Sequence, residues 1–91
     1  MTIRRFEYNV NQEIYNTVLY EGTDEDCITK FNELQQAIES DLYEKYHIIT
    51  FTSIAEALNL LRNVDIGVIS KGFAVVNEHG QALFVFTLET A

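Results

Sequence analysis

A chain of 91 residues, 47% hydrophobic and 22% charged, is long enough for one globular domain and too apolar to be disordered. Fourteen acidic residues against six basic ones give a net charge of −8, which argues against direct binding to nucleic-acid phosphates or to an anionic membrane. The lone cysteine, Cys27, leaves no internal disulfide and no cysteine metal cluster.

The N-terminal residues MTIRRFEYNV carry two arginines but no apolar stretch after them, so they do not read as a secretory signal. No apolar run approaches the ~20 residues a membrane helix needs. The expectation is a soluble cytoplasmic protein with one domain over residues 1–91.

Residues 2–10 alternate around Phe6, Tyr8 and Val10, which is a strand period. Asn11 and Gln12 suit a tight connection, and residues 13–20, EIYNTVLY, read as a second strand rich in β-branched and aromatic types. The clearest helix follows, within residues 21–46, EGTDEDCITKFNELQQAIESDLYEKY. Thr23 caps it, with Asp26 three positions on, and Asp24, Glu25 and Asp26 fill a first turn where the helix dipole favours anions. Cys27, Phe31, Leu34, Ile38, Leu42 and Tyr46 step by three or four and share one face. Lys45 complements the dipole in the last turn.

Residues 47–52, HIITFT, read as a short strand or extended link. Ser53 opens a second capping signature, and residues 54–63 read as a short helix that buries Ile54, Ala57, Leu58 and Leu61. Residues 66–69 suggest a brief strand. Residues 73–77 and 81–88 form a hairpin across Asn77-Glu78-His79-Gly80, with glycine where the turn needs positive φ. The predicted class is α+β, in the order ββα(β)αβββ: a mostly antiparallel sheet built from an N-terminal hairpin and a C-terminal meander, with one long and one short helix on one face.

Catalytic apparatus is not visible. Cys27 falls on the apolar stripe beside three acids, which raise rather than lower a thiol pKa. It reads as a buried structural residue. His47 and His79 lack metal-ligand spacing and read as a helix-terminal and a turn histidine. No glycine-rich phosphate loop or calcium loop appears. The expectation is a protein that is not an enzyme, with no cofactor and no metal.

Charge is concentrated instead. Residues 21–44 hold Glu21, Asp24, Glu25, Asp26, Glu33, Glu39, Asp41 and Glu44 against Lys30, eight acids and one base, hence −7 of the total −8. Such a segment creates a directed field for a basic partner. The plainer reading is a solvated helix face. Against it, Glu33, Glu39, Asp41 and Glu44 run toward the C-terminal end, where the dipole disfavours them. A second feature is the last strand, which places Ala82, Phe84, Phe86 and Leu88 on one face and Leu83 and Val85 on the other, so both faces are apolar.

This small, acidic, proline-free profile is similar in type to toxin-immunity proteins and to phage-encoded inhibitors of bacterial defence nucleases, including those whose carboxylates imitate phosphates. The likeness is one of size and charge. It implies an inhibitor or regulator of a basic, nucleic-acid-binding protein, with Glu21, Glu25, Glu33, Glu39, Asp41, Glu44, Tyr20 and Tyr43 as the partner surface. The alternative is a homodimeric structural or interaction module that associates through an apolar sheet face.

Overall fold

The computed structural model describes residues 1–8, 13–41, 46–51 and 68–90. Their elements are β1 (Thr2–Tyr8), β2 (Ile14–Glu21), α1 (Asp24–Asp41), β3 (His47–Phe51), β4 (Val68–Val76) and β5 (Ala82–Thr90). The five strands form one sheet in the order β2-β1-β5-β4-β3, and every neighbouring pair is antiparallel. The α+β class and the mostly antiparallel sheet agree with the sequence. The described residues contain one helix; the short helix expected over residues 54–63 lies outside them.

Two expected elements merge. Residues 68–69 of the expected brief strand and 73–76 of the next are parts of β4, which runs through Ser70–Gly72 without a break; residues 66–67 lie outside the described residues. Gly72 does not interrupt the strand: it is buried and pairs with Thr87 and Phe51. The slack is taken up by a bulge at Ser70, where Ile69 faces Glu89 and Lys71 faces Leu88.

The hairpin between β4 and β5 forms as its residues predict. Gly80 has φ 77°, a conformation other residues resist, and its N–H donates to the Asn77 carbonyl at 3.0 Å. Asn77 Oδ1 accepts from the His79 and Gln81 amides, both at 2.9 Å, which fixes the turn.

Helix α1 starts where the capping pattern places it. The Asp26 amide donates to Thr23 Oγ1 at 3.2 Å, and the Cys27 amide to the Thr23 carbonyl at 3.0 Å. Its apolar stripe buries Cys27 and Phe31 completely, with Leu34 and Ile38 half-buried. They meet Ile3, Phe73, Val75, Phe86 and Leu88 on one face of the sheet. Phe73 is the hub: its ring stacks on Phe86 with centroids 4.8 Å apart and meets Phe31 edge-on at 5.4 Å. Cys27 Sγ lies 3.3 Å from the Met1 carbonyl, and the thiol is buried, as expected.

The stripe was expected to run on to Tyr46. The described helix ends at Asp41, Leu42 and Lys45 lie outside the described residues, and Tyr46 is not helical. Tyr46 still packs against the helix-side cluster, so its apolar character reports burial and not helical phase. His47 likewise belongs to a strand, as the first residue of β3, and is exposed.

The centre of the opposite face is also buried, while Ile49 and Val18 toward its edges are exposed. Phe6, Ala74 and Val85 are fully buried there, with Ile69 and Val76 nearly so. A second bulge corrects the expected side of one residue. Phe84 pairs with Val75 but Ala82 pairs with Val76, so Leu83 is the extra residue and Ala82 joins Phe6 and Val85 instead of Phe84 and Phe86. Thr87 and Glu89 share that face, and the buried Glu89 carboxylate lies 2.5 Å from Arg4 Nε. A buried charge needs such a partner.

Candidate functional site: the acidic helix and its surroundings

The carboxylates of α1 separate into groups with different tasks. Asp24 is at the helix start, 3.5 Å from the Met1 ammonium, and Asp24, Glu25 and Asp26 all lie in the first turn. Gly22 and Met1 exchange two hydrogen bonds, one from the Gly22 amide at 3.2 Å and one from the Met1 ammonium at 3.0 Å, which tie the helix start to β1. The first-turn acids therefore sit against a positive dipole end and a real cation.

Glu33, Glu39 and Asp41, beyond the first turn, have no such support. At ~100° per residue, Glu25, Glu33 and Glu39 fall within roughly 120° of one another on the half of the helix turned away from the sheet. All three are exposed. Gln35 donates to Glu39 Oε1 at 3.2 Å, a neutral contact. Among the described residues, Glu25, Asp26, Glu33, Glu39 and Asp41 have no lysine or arginine partner.

The lysines nearby are engaged elsewhere. Lys30 Nζ lies 4.8 Å from the centre of the Tyr20 ring. Lys71 Nζ donates to Asn32 Oδ1 at 2.6 Å and lies 5.5 Å from the Phe31 ring centre. Both cations are held over aromatic faces and leave the helix carboxylates unneutralised.

The structure thus does not bring the whole sequence-derived set onto one surface. Glu25, Glu33 and Glu39 share the outer half of α1. Glu21 is exposed at the end of β2, ahead of the helix. Tyr20, expected as an exposed aromatic, is half-buried against the helix-side cluster beneath Lys30, because its side of β2 faces α1. Asp41 is exposed but leaves the outer group: its helical position borders the buried stripe. It lines a cleft of about 300 Å³ with Arg5, Ile38, Val75, Phe84 and Phe86. Glu44 and Tyr43 lie outside the described residues.

That cleft is the feature sequence reasoning missed. Arg5 is half-buried on the helix side of β1, and its Nε is buried without a hydrogen-bond partner. The strand period, taken with Ile3 on the helix side, signals that Arg5 faces α1. The lining supplies one cation, Arg5, one carboxylate, Asp41, and an apolar floor. Its size and apolar floor suit an apolar or aromatic group.

Other titratable groups are unremarkable in placement. His79 is exposed in the β4–β5 turn, 3.6 Å from Glu78. The described residues contain no group of three or more histidine, cysteine or acidic side chains able to hold a metal. Tyr8 is the exception: burial pushes its phenol pKa above the ordinary 10.0, and its hydroxyl finds no hydrogen-bond partner among the described residues. No described helix is long and apolar enough to cross a membrane. Comparisons with family models, with curated proteins and with solved structures find no match to this chain.

Proposed function

We propose that this chain is a non-enzymatic binding protein that inhibits or regulates a basic, nucleic-acid-binding protein of the cytoplasm, in the manner of an immunity protein or an anti-defence inhibitor. One observation carries the reading: Glu25, Glu33 and Glu39 form an exposed acidic surface on α1 with no lysine or arginine partner among the described residues. Exposed carboxylates on a helix are ordinarily offset by lysines three or four residues away. Here the available lysines are turned to aromatic rings and to Asn32.

Charge density limits what the surface imitates. From Asp24 to Asp41 the helix carries six acids over ~26 Å, at 1.5 Å per residue. Duplex DNA carries roughly fifteen phosphates over that length, at one per ~1.7 Å. The helix can therefore fill a few phosphate subsites of a partner. It cannot stand in for a continuous stretch of duplex.

The homodimer alternative drew its support from an uncovered apolar sheet face. In the structure Phe6, Ala74 and Val85 are already fully buried within one copy, so that support is much reduced.

Competition tests the proposal. The protein, used as bait, should retain a basic protein that short duplex DNA displaces, and retention should weaken steeply between low and physiological salt. A partner held equally well at both salts and untouched by DNA would show that the acids do not occupy its phosphate sites.

A further inference from the structure

The edge of the sheet beside the acidic helix is open. Among the described residues no strand lies beyond β2, whose only sheet neighbour is β1. An edge strand presents roughly half of its backbone N–H and C=O groups outward. Natural edges are normally blunted by lysine, proline or an inward charge. β2, IYNTVLYE, has none of these over Ile14–Tyr20. Its side chains from Tyr15 to Leu19 are exposed, with Val18 at 43% and Leu19 at 40%. A bulge at Leu19, where Tyr20 faces Ile3 and Val18 faces Arg4, leaves Ile14–Val18 as the regular stretch.

Charge selects the occupant. Beyond the bulge come Glu21 and the first turn of α1 with Asp24, Glu25 and Asp26, all exposed. A second copy is a poor fit: antiparallel pairing centred on Thr17 would bring Glu13 of one copy against Glu21 of the other, between two chains of net charge −8. A lysine- or arginine-bearing segment gains where a second copy loses.

We propose that the open edge of β2 receives an extended basic segment of the protein partner, added to the sheet as a sixth strand with its cations beside Glu21 and the first turn of α1. Main-chain hydrogen bonds supply the attachment and the acids the choice of sequence. The inference rests on the partner being a basic protein, as read above, and assigns a second contact besides the outer face of α1.

The probe is a synthetic octapeptide of alternating lysine and valine, followed by amide NMR at physiological salt. Expected are shifts and slowed exchange of β2 amides. N-methylating alternate peptide amides, which keeps the charge but removes the donors, should weaken binding at least about tenfold. The double variant V18K/L19K, which places lysines on the edge, should do the same, while E78Q, which removes an exposed charge in the β4–β5 turn, should leave peptide affinity within about twofold. Equal binding of the N-methylated peptide, shifts confined to α1, or β2 amides protected by self-association without peptide would each overturn the proposal. The two readings fail separately. Partner capture that ignores E25Q/E33Q/E39Q, with the peptide still adding to β2, removes the helix surface and keeps the edge; helix-dependent capture with no strand addition does the reverse.

Discussion

Replacing Glu25, Glu33 and Glu39 together by glutamine separates folding from binding. None of the three has a cationic partner among the described residues, so the change breaks no ion pair. Glu33 and Glu39 lie ~9 Å apart along the axis at 1.5 Å per residue, close to the ~8 Å screening length at physiological salt. Relief of repulsion is then worth only a few tenths of a kcal/mol, and it offsets part of the ~0.3–1 kcal/mol lost when Glu25 no longer complements the dipole, so the midpoint of melting should move by no more than ~5 °C. Association should respond far more. At ~0.2–1 kcal/mol for each exposed ion pair with the partner, losing three costs ~0.6–3 kcal/mol, or about 3- to 150-fold in Kd. Denaturant titration and calorimetric titration against the captured partner measure the two effects on one sample. The companion variant D24N/D26N should lose on the order of 1 kcal/mol of stability, because both carboxylates face the dipole and Asp24 also faces the Met1 ammonium. Unchanged partner affinity for the triple variant would refute the helix surface; a loss of stability above ~1 kcal/mol would show that its acids are structural after all.

Three further outcomes follow from the packing and the turns. Phe73→Ala should cost ~3–5 kcal/mol, because it removes a fully buried ring that joins Phe31 of the helix to Phe86 of the sheet; a loss below ~1.5 kcal/mol by urea unfolding would mean that helix and sheet do not share this core. Gly80→Ala should destabilise by ~1 kcal/mol, since φ 77° strains any residue with a Cβ, and a neutral result in thermal melting would disprove the turn. Tyr8 has a folded pKa above its ordinary 10.0, so the neutral phenol is favoured in the folded state. Its stability contribution is complete below pH ~10 and is lost as pH rises through the folded pKa, and Tyr8→Phe should remove that part of the alkaline loss in stability-versus-pH curves.

Local chemistry made much of this fold legible. Thr23 and Asp26 announced the helix start, Gly80 the hairpin, and the three-and-four spacing of Cys27, Phe31, Leu34 and Ile38 the buried stripe, because each is decided within a few residues. Bulges were not legible. Leu83, Ser70 and Leu19 are extra residues only relative to a partner strand, so nothing in their own neighbourhood marks them. The same holds for the site. The acids of α1 could be counted, but their pairing state depended on where Lys30 and Lys71 reach, and Lys71 arrives from β4. Asp41 left the outer group because helical phase, not sequence proximity, sets the direction of a side chain.

The strand order has a consequence for how the protein is made. β1 and β5 are neighbours, with Thr2 opposite Glu89, so a residue made early in this domain waits for one made late in it. Until β5 leaves the ribosome, the hairpin of β1 and β2 has no bond to β3 or β4, and α1 and Phe6 have only residues of that hairpin to rest on. Closure is therefore a late, long-range event with a large loop-closure cost, and folding should be slow for a domain this small. During that interval the nascent chain carries the acids of residues 21–44, whose mutual repulsion opposes contact between neighbouring nascent copies.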